Sequence, residues 1–252
     1  MKLPLSVVIV TKNEERNIEA ALQSVSRFSE IIIIDDFSTD STLSIAHKYT
    51  NNIFQIKWQG YARQKQSGID MASLPWVLVL DADERVTEEL ADEIRTAIES
   101  SAYNAFYIPR KNFFLGRWIR HGGWWPDYTL RLFRKESAYM EQREVHEKIV
   151  ADGKAAYCKN PMEHFTYREI SDYIKKMDVY STLAAKELHQ KGVPVRFYQL
   201  VLKPPVTFLR MFLFQQGFRD GFHGFVLAVL YSFYTFLKYL KLREIGTALP
   251  GR

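Results

Sequence analysis

The sequence predicts an α/β protein built on a parallel sheet covered on both faces. In the first hundred residues, short apolar runs alternate with longer polar stretches of helical period. The runs are mostly apolar, as strands buried on both faces are, and several are rich in β-branched residues. Three of them end in polar, mostly acidic loops.

Residues 5–10, Leu-Ser-Val-Val-Ile-Val, read as the first strand. Residues 14–28 follow as a helix, with Ile18, Ala21, Leu22 and Val25 at helical spacing. The four isoleucines at 31–34 form a second strand, and residues 41–49 a second helix. Residues 53–57 are a short third strand, 61–72 a third helix and 76–80 a fourth strand. The fourth helix, 87–100, carries Glu88 and Glu89 in its first turn, where the helix dipole favours negative charge.

Composition narrows the class. With 252 residues, 47% apolar and 25% charged, the chain can bury a full core; disorder, collagen and coiled coil are excluded. Cys158 is the single cysteine, which excludes an intramolecular disulfide and cysteine-based zinc sites and fits a reducing cytosolic setting. The N-terminal apolar stretch breaks at Thr11-Lys-Asn-Glu-Glu, too short for a signal peptide.

In such sheets ligands bind beyond the carboxyl ends of the strands. There stand Thr11, Asn13 and Glu14; then Asp35 and Asp36 in Asp35-Asp-Phe-Ser-Thr-Asp40; then Asp81, Ala82 and Asp83. A single carboxylate after a strand is usually a cap, and Asp40, Ser41 and Thr87 are placed to be caps. Two acidic clusters on neighbouring strand ends repel each other, and are tolerated where a cation or donor-rich ligand lies between them. No G-x-x-x-x-G-K-[ST] or G-x-G-x-x-G segment follows the first strand, so a P-loop hydrolase and a dinucleotide oxidoreductase both lack their signature. Acidic strand ends instead suit a nucleotide held by base and ribose, its diphosphate neutralised by Mg²⁺ or Mn²⁺ on a D-x-D.

These motifs, Val7-Val-Ile-Val-Thr-Lys-Asn-Glu, Ile34-Asp-Asp-Phe-Ser-Thr-Asp-Ser-Thr and Leu80-Asp-Ala-Asp, resemble the family 2 inverting glycosyltransferases of GT-A fold. Asn112-Phe-Phe-Leu-Gly, Gly122-Gly-Trp-Trp-Pro-Asp, Arg131-Leu-Phe-Arg, Val145-His-Glu and the tail from Lys203-Pro-Pro to Gly217-Phe-Arg-Asp-Gly-Phe-His-Gly-Phe resemble the lipopolysaccharide-core branch, the WaaE/KdtX-type glucosyltransferases. The resemblance implies a GT-A domain over residues 1–188, with 1–100 the nucleotide-sugar half and 101–188 the acceptor half. It implies a nucleotide-diphosphate sugar donor, UDP-linked, bound by Thr11, Asn13, Glu14, Asp35, Asp36, Asp81 and Ala82. Asp83 and Asp81 would meet the metal. Many relatives carry glycine where this chain has Phe37.

Inverting transfer needs a general base and a stabilised leaving group. The acidic residues available between 120 and 150 include Glu147, which the resemblance implies as first choice because relatives carry an acidic dipeptide where Val145-His-Glu stands, and Asp127, the second. His146 is either a metal or phosphate ligand or structural; His164 reads more simply as structural. Trp124 and Trp125, beside Gly122 and Gly123, suit an acceptor sugar platform or a core; Arg131 suits a phosphate or a surface ion pair.

Residues 189–252 hold nine Lys or Arg and two acids, a net +7, so the rest of the chain is slightly acidic. The charges are interleaved with two apolar stretches, 206–214 and 222–237. Nucleic acid has little use for such grease, and sixteen residues fall short of the ~20 of a spanning helix. The tail therefore reads as an amphipathic helical segment in a membrane interface, a core or dimer hairpin being the plainer alternative. The expected function is transfer of a hexose, glucose by the resemblance, to the lipopolysaccharide inner core at the cytoplasmic face of the inner membrane. The alternatives are the same chemistry on a polyprenyl-phosphate or capsule acceptor, or a non-catalytic nucleotide-sugar-binding module.

Overall fold

The computed structural model describes residues 2–100, 102–141 and 148–247. Along the chain run β1 (Leu3–Thr11), α1 (Ile18–Ser24), β2 (Phe28–Asp35), α2 (Thr42–Ala46), β3 (Ile53–Gln55), α3 (Tyr61–Met71), β4 (Trp76–Asp81), β5 (Glu84–Val86) and α4 (Glu88–Ser100). Then come β6 (Ala105–Phe114), β7 (Arg117–Trp118), β8 (Asp127–Arg134), β9 (Ala138–Glu141), β10 (Lys148–Ala151), β11 (Ala155–Tyr157) and β12 (Met162–Tyr167). The chain ends in helices α5 (Ile170–Gln190), α6 (Phe197–Val201), α7 (Lys203–Leu209) and α8 (Gly221–Thr247). It forms two compact units, Met1–Lys111 with Asp127–His164, and Asn112–Pro126 with Phe165–Arg252.

In the first unit β1 lies between β2 and β4, parallel to both, and β3 pairs in parallel with β2. The parallel reading holds for these four strands. The strands added later make the sheet mixed: β8 runs antiparallel to β4 and to β6, and β12 runs antiparallel to β5. No crossover helix separates β6 from β8, and a parallel pairing would need one.

Alternate residues of the central strands face opposite sides. Leu5, Val7, Ile9, Ile33, Leu78 and Leu80 pack with Ile18, Leu22, Leu90 and Ile94 of α1 and α4. Val8, Ile32, Ile34, Val77 and Val79 pack with Ala62 and Ile69 of α3. Gly68 lets α3 sit this close, since a Cβ there would lie 2.3 Å from Val8 Cγ1. α1 begins later than its sequence pattern predicts, because residues 14–17 form a turn closed by the Glu14 carbonyl, which accepts from Asn17 N and Ile18 N. Thr87 caps α4 as expected, its Oγ1 accepting from Leu90 N at 3.2 Å.

The second unit buries Phe114, Ile119, Trp124, Tyr173, Met177, Met211, Leu227 and Ala228 between α5, α8 and the 112–126 segment. α8 corrects the expected length of the apolar tail helix. It runs for 27 residues, continuing past the sixteen-residue apolar stretch through Lys238, Lys241 and Arg243, and is long and apolar enough to cross a membrane. Its inner face packs on α5, and the Lys241 ammonium donates to the Asp178 carbonyl and carboxylate, Ser181 Oγ and Thr182 Oγ1.

Candidate functional site

The ends of β1 and β2 lie side by side, Thr11 opposite Asp35, and Asp36 N donates to the Thr11 carbonyl at 3.0 Å. Asn13 sits at φ 54°, a left-handed backbone that asparagine tolerates. Its N–H donates to Ser38 Oγ, and its Oδ1 accepts from Thr39 N, both at 2.8 Å. Glu14 N donates to Thr42 Oγ1, and Glu14 Oε2 accepts from Asn17 Nδ2. The two loops thus brace each other.

Within the acidic pair the roles divide. Asp35 is fully buried and accepts from Ser38 N, Ser38 Oγ and Gln55 Nε2, which fixes the turn. Asp36 accepts from Trp58 N at 2.9 Å and pairs with the exposed Lys12 ammonium. The Lys12 hydrogen bond, with that from Trp58, holds its carboxyl below the usual range against the effect of desolvation. Thr11 Oγ1 is buried with no hydrogen-bond partner among the described residues. An orphaned hydroxyl at a strand end is what a pocket awaiting a polar ligand leaves. Phe37 takes φ 51° with its ring 55% exposed, so the turn demands a conformation natural to glycine.

Asp81 ends β4 between two cations. Lys65 Nζ is 2.9 Å from its Oδ1 and Arg131 Nη2 2.5 Å from its Oδ2. Arg131 Nη2 also donates to Glu84 Oε1 at 2.6 Å, while Glu84 Oε2 accepts from Asp81 N. Arg110 continues the row, 3.6 Å from Glu84 and 2.7 Å from Asp127 Oδ2. Six alternating charges, Lys65, Asp81, Arg131, Glu84, Arg110 and Asp127, therefore neutralise one another, which makes burial of Lys65, Arg131 and Glu84 tolerable. Desolvation would raise the Asp81 pKa, but Arg131 and Lys65 outweigh it and hold the carboxyl well below its ordinary value. Desolvation would likewise lower that of Arg131, and Asp81 and Glu84 instead raise it further.

Asp83 faces elsewhere. Its Oδ2 lies 3.5 Å from His164 Nε2, which β12 brings up by pairing His164 with Glu84. A carboxylate oxygen and an imidazole nitrogen converge there; among the described residues no cluster of three His, Cys, Asp or Glu side chains forms. Two protein donors with positions left over suit a divalent ion that arrives with phosphate oxygens.

The structure thus gathers Thr11, Asn13, Glu14, Asp35 and Asp36 at one pair of strand ends, with Asp81, Ala82 and Asp83 at the end of the neighbouring β4. Arg131 lies behind Asp81 rather than on a surface. Trp124 is buried in the second unit against Phe114 and Tyr231, whereas Trp125 is half-buried, edge to face with Trp118. Glu147 and His146 lie outside the described residues. Sequence reasoning missed Lys65, Glu84 and Arg110, and it gave His164 the plainer reading. Glu84 adjoins the D-x-D, but nothing in the sequence sets His164 beside Asp83, eighty residues away.

The family model for glycosyl transferase family 2 matches residues 6–165. The lipopolysaccharide core biosynthesis glycosyltransferase LpsC of Rhizobium meliloti (strain 1021) is 32% identical, over 96% of this chain and 93% of its own. An uncharacterized glycosyltransferase of Rickettsia typhi is 30% identical over 96% of this chain and 87% of its own. The UDP complex of Staphylococcus aureus TarS 1–349 shares the fold at 17% identity, TM-score 0.51, covering 100% of this chain and 93% of the other. Three strand-end motifs, the fold they sit in and relatives aligned along nearly the whole length agree: the chain belongs to glycosyl transferase family 2.

Proposed function

We propose that the protein is a metal-dependent inverting hexosyltransferase that moves glucose from a UDP-sugar to the inner core of lipopolysaccharide. It would work at the cytoplasmic face of the inner membrane. The observation that carries the donor half is the pairing of Asp83, the second aspartate of the D-x-D, with His164, together with the orphaned Thr11 hydroxyl among the strand-end loops. The similarity to LpsC along 96% of the chain supports the acceptor.

In this reading Thr11, Asn13, Glu14 and Asp36 receive base and ribose, with Lys12 yielding Asp36 to the nucleotide. Asp35 shapes the turn. Asp81, held by Lys65 and Arg131, fixes the loop, and Asp83 with His164 would hold Mn²⁺ or Mg²⁺, the imidazole favouring Mn²⁺. Held there, such an ion would offer positive charge to the departing diphosphate. A base takes the proton of the acceptor hydroxyl as its oxygen bonds the anomeric carbon from the face opposite the leaving group. The bond to the diphosphate breaks in the same displacement and UDP departs, which inverts the centre. Glu147 is the first choice for the base. Asp127 is second, since taking a proton there gives up its close pairing with Arg110. The tail adds the membrane contact: α7, α8 and the turns between them expose Val206, Leu213, Phe214, Phe218 and Phe222 among Arg210 and Arg219.

The test is a screen of UDP- and ADP-sugars with Mn²⁺ or Mg²⁺ and a deacylated core oligosaccharide. Metal-dependent UDP release with an inverted glycosidic product is expected. Nucleotide-sugar binding without turnover of any donor would leave a binding module in its place.

A further inference from the structure

In the motif Gly217-Phe-Arg-Asp220-Gly-Phe-His-Gly224, Phe218, Arg219 and Phe222 belong to the exposed tail surface, whereas Gly217, Asp220 and Gly224 are buried and their geometry is demanding. Gly217–Asp220 is a tight 3₁₀ turn ahead of α8. A Cβ on Gly224 would lie 1.8 Å from the Gly217 carbonyl oxygen, so turn and helix meet backbone to backbone. This sets Asp220, only 3% exposed, under the 119–125 loop. Its Oδ2 accepts from Arg120 N at 3.1 Å and His121 N at 2.8 Å, and its Oδ1 lies 3.2 Å from His121 Nδ1. Gly122 N donates to the Gln215 carbonyl at 2.8 Å, a second tie from the segment just before that turn.

A buried carboxylate given over to one loop orders what that loop displays. Arg120 is exposed, and its guanidinium lies over the Trp118 ring at 4.1 Å with no carboxylate partner among the described residues. Trp118 meets Trp125 edge to face, ring centres 5.5 Å apart. The carboxylate at Nδ1 orients the His121 ring and leaves Nε2 for a ligand. A cation on an aromatic wall beside an oriented imidazole is chemistry for a sugar bearing an oxyanion.

We propose that the 118–125 loop is an oxyanion-binding subsite for an acidic saccharide, with Arg120 and His121 as its contacts, Trp118 and Trp125 as its stacking wall, and Asp220 as the residue that positions it. That this saccharide is the acceptor rests on the transferase reading; the subsite itself does not. The oxyanion is a carboxylate or a phosphate.

Tryptophan fluorescence of the full chain, titrated with a deacylated lipopolysaccharide oligosaccharide, tests it alongside calorimetry with UDP. The native oligosaccharide should bind, and either its dephosphorylated or its carboxyl-reduced form should not, which identifies the group. Arg120→Ala should weaken binding at least ~10-fold, as loss of a charged contact does, with UDP affinity unchanged. Asp220→Asn should raise the acceptor KM and leave the donor KM alone, a split that general destabilisation would not produce. Should Asp220→Asn fold poorly, the exposed Arg120 still decides the matter. Binding by Arg120→Ala as tight as the wild type, no binding by the wild type, or equal binding of all three oligosaccharides overturns the subsite. Failure to bind UDP would instead remove the transferase reading.

Discussion

At the residue scale, Asp81 and Asp83 look alike in sequence and differ in role, and the difference is measurable. Asp83 belongs to a pair with His164, so Asp83→Asn should remove nearly all transfer while leaving the melting temperature close to wild type. Full turnover by that variant, or in excess chelator, would refute the assignment. Asp81→Asn should instead destabilise, because Lys65 and Arg131 lose the charge that justifies their burial. Stranding a buried charge costs ~3–5 kcal/mol; with Asp81 itself partly exposed, roughly 2–3 kcal/mol is expected from urea unfolding. The same group predicts a pH response. Its folded pKa lies well below the unfolded value, so its stabilisation is complete above the ordinary carboxylate pKa of about 4 and fades as pH falls below it. Asp81→Asn should therefore flatten the acid limb of stability against pH; an unchanged limb would mean the pairing contributes little.

At the element scale, what the sequence made legible is the part built from local pattern. β1, β2 and β4 could be read because strands buried on both faces are continuous apolar runs, and their loops because acidic residues cluster where the runs stop. β5 has three residues, Glu84-Arg-Val86, and no pattern can announce it. β12 matters through its register against β5, which sets His164 beside Asp83, and register between segments eighty residues apart is not written in either one. Trp124 shows the same limit: tryptophan beside two glycines suits a sugar platform and a core equally, and only the packing of Phe114 and Tyr231 around it decides. Two glycines make the packing of elements testable. At Gly68 an added methyl gains up to ~1 kcal/mol of helix propensity, but it meets Val8 Cγ1 at 2.3 Å, and overpacking of that kind costs ~1–3 kcal/mol. Gly68→Ala should be destabilised by about 1 kcal/mol net. Gly224→Ala should fare worse, since its obstacle is the Gly217 backbone and not a side chain. Equal melting temperatures for the two variants would contradict this ranking.

At the scale of the whole molecule, α8 is long enough to cross a bilayer, and the function proposed above has it lie on one. One face is packed on α5, where Lys241 is bonded to Asp178, Ser181 and Thr182, so insertion of α8 across the membrane would strip or drag in polar groups. The opposite face offers Phe222, Phe225, Val229, Phe233 and Leu240 at helical spacing, continued by Phe214 at 81% exposure and Phe218. Phe214 and Phe222 each bring up to ~150–250 Å² of apolar surface. At roughly 25 cal/mol per Å², complete burial in lipid is worth several kcal/mol each. Each nearby Lys or Arg adds about 1 kcal/mol against an anionic leaflet, and salt screens that part alone. Binding should therefore respond in two parts: high salt loosens the protein from anionic vesicles, and apolar contact retains the remainder. Phe214→Asp with Phe222→Asp should remove the salt-resistant part of vesicle flotation, leaving only a weakened binding that high salt releases, while turnover on a soluble oligosaccharide stays at the wild-type level. Both residues are exposed, 81% and 72%, so their replacement disturbs little of the fold. If the double variant floats as well as the wild type, this face is not the one that meets the lipid.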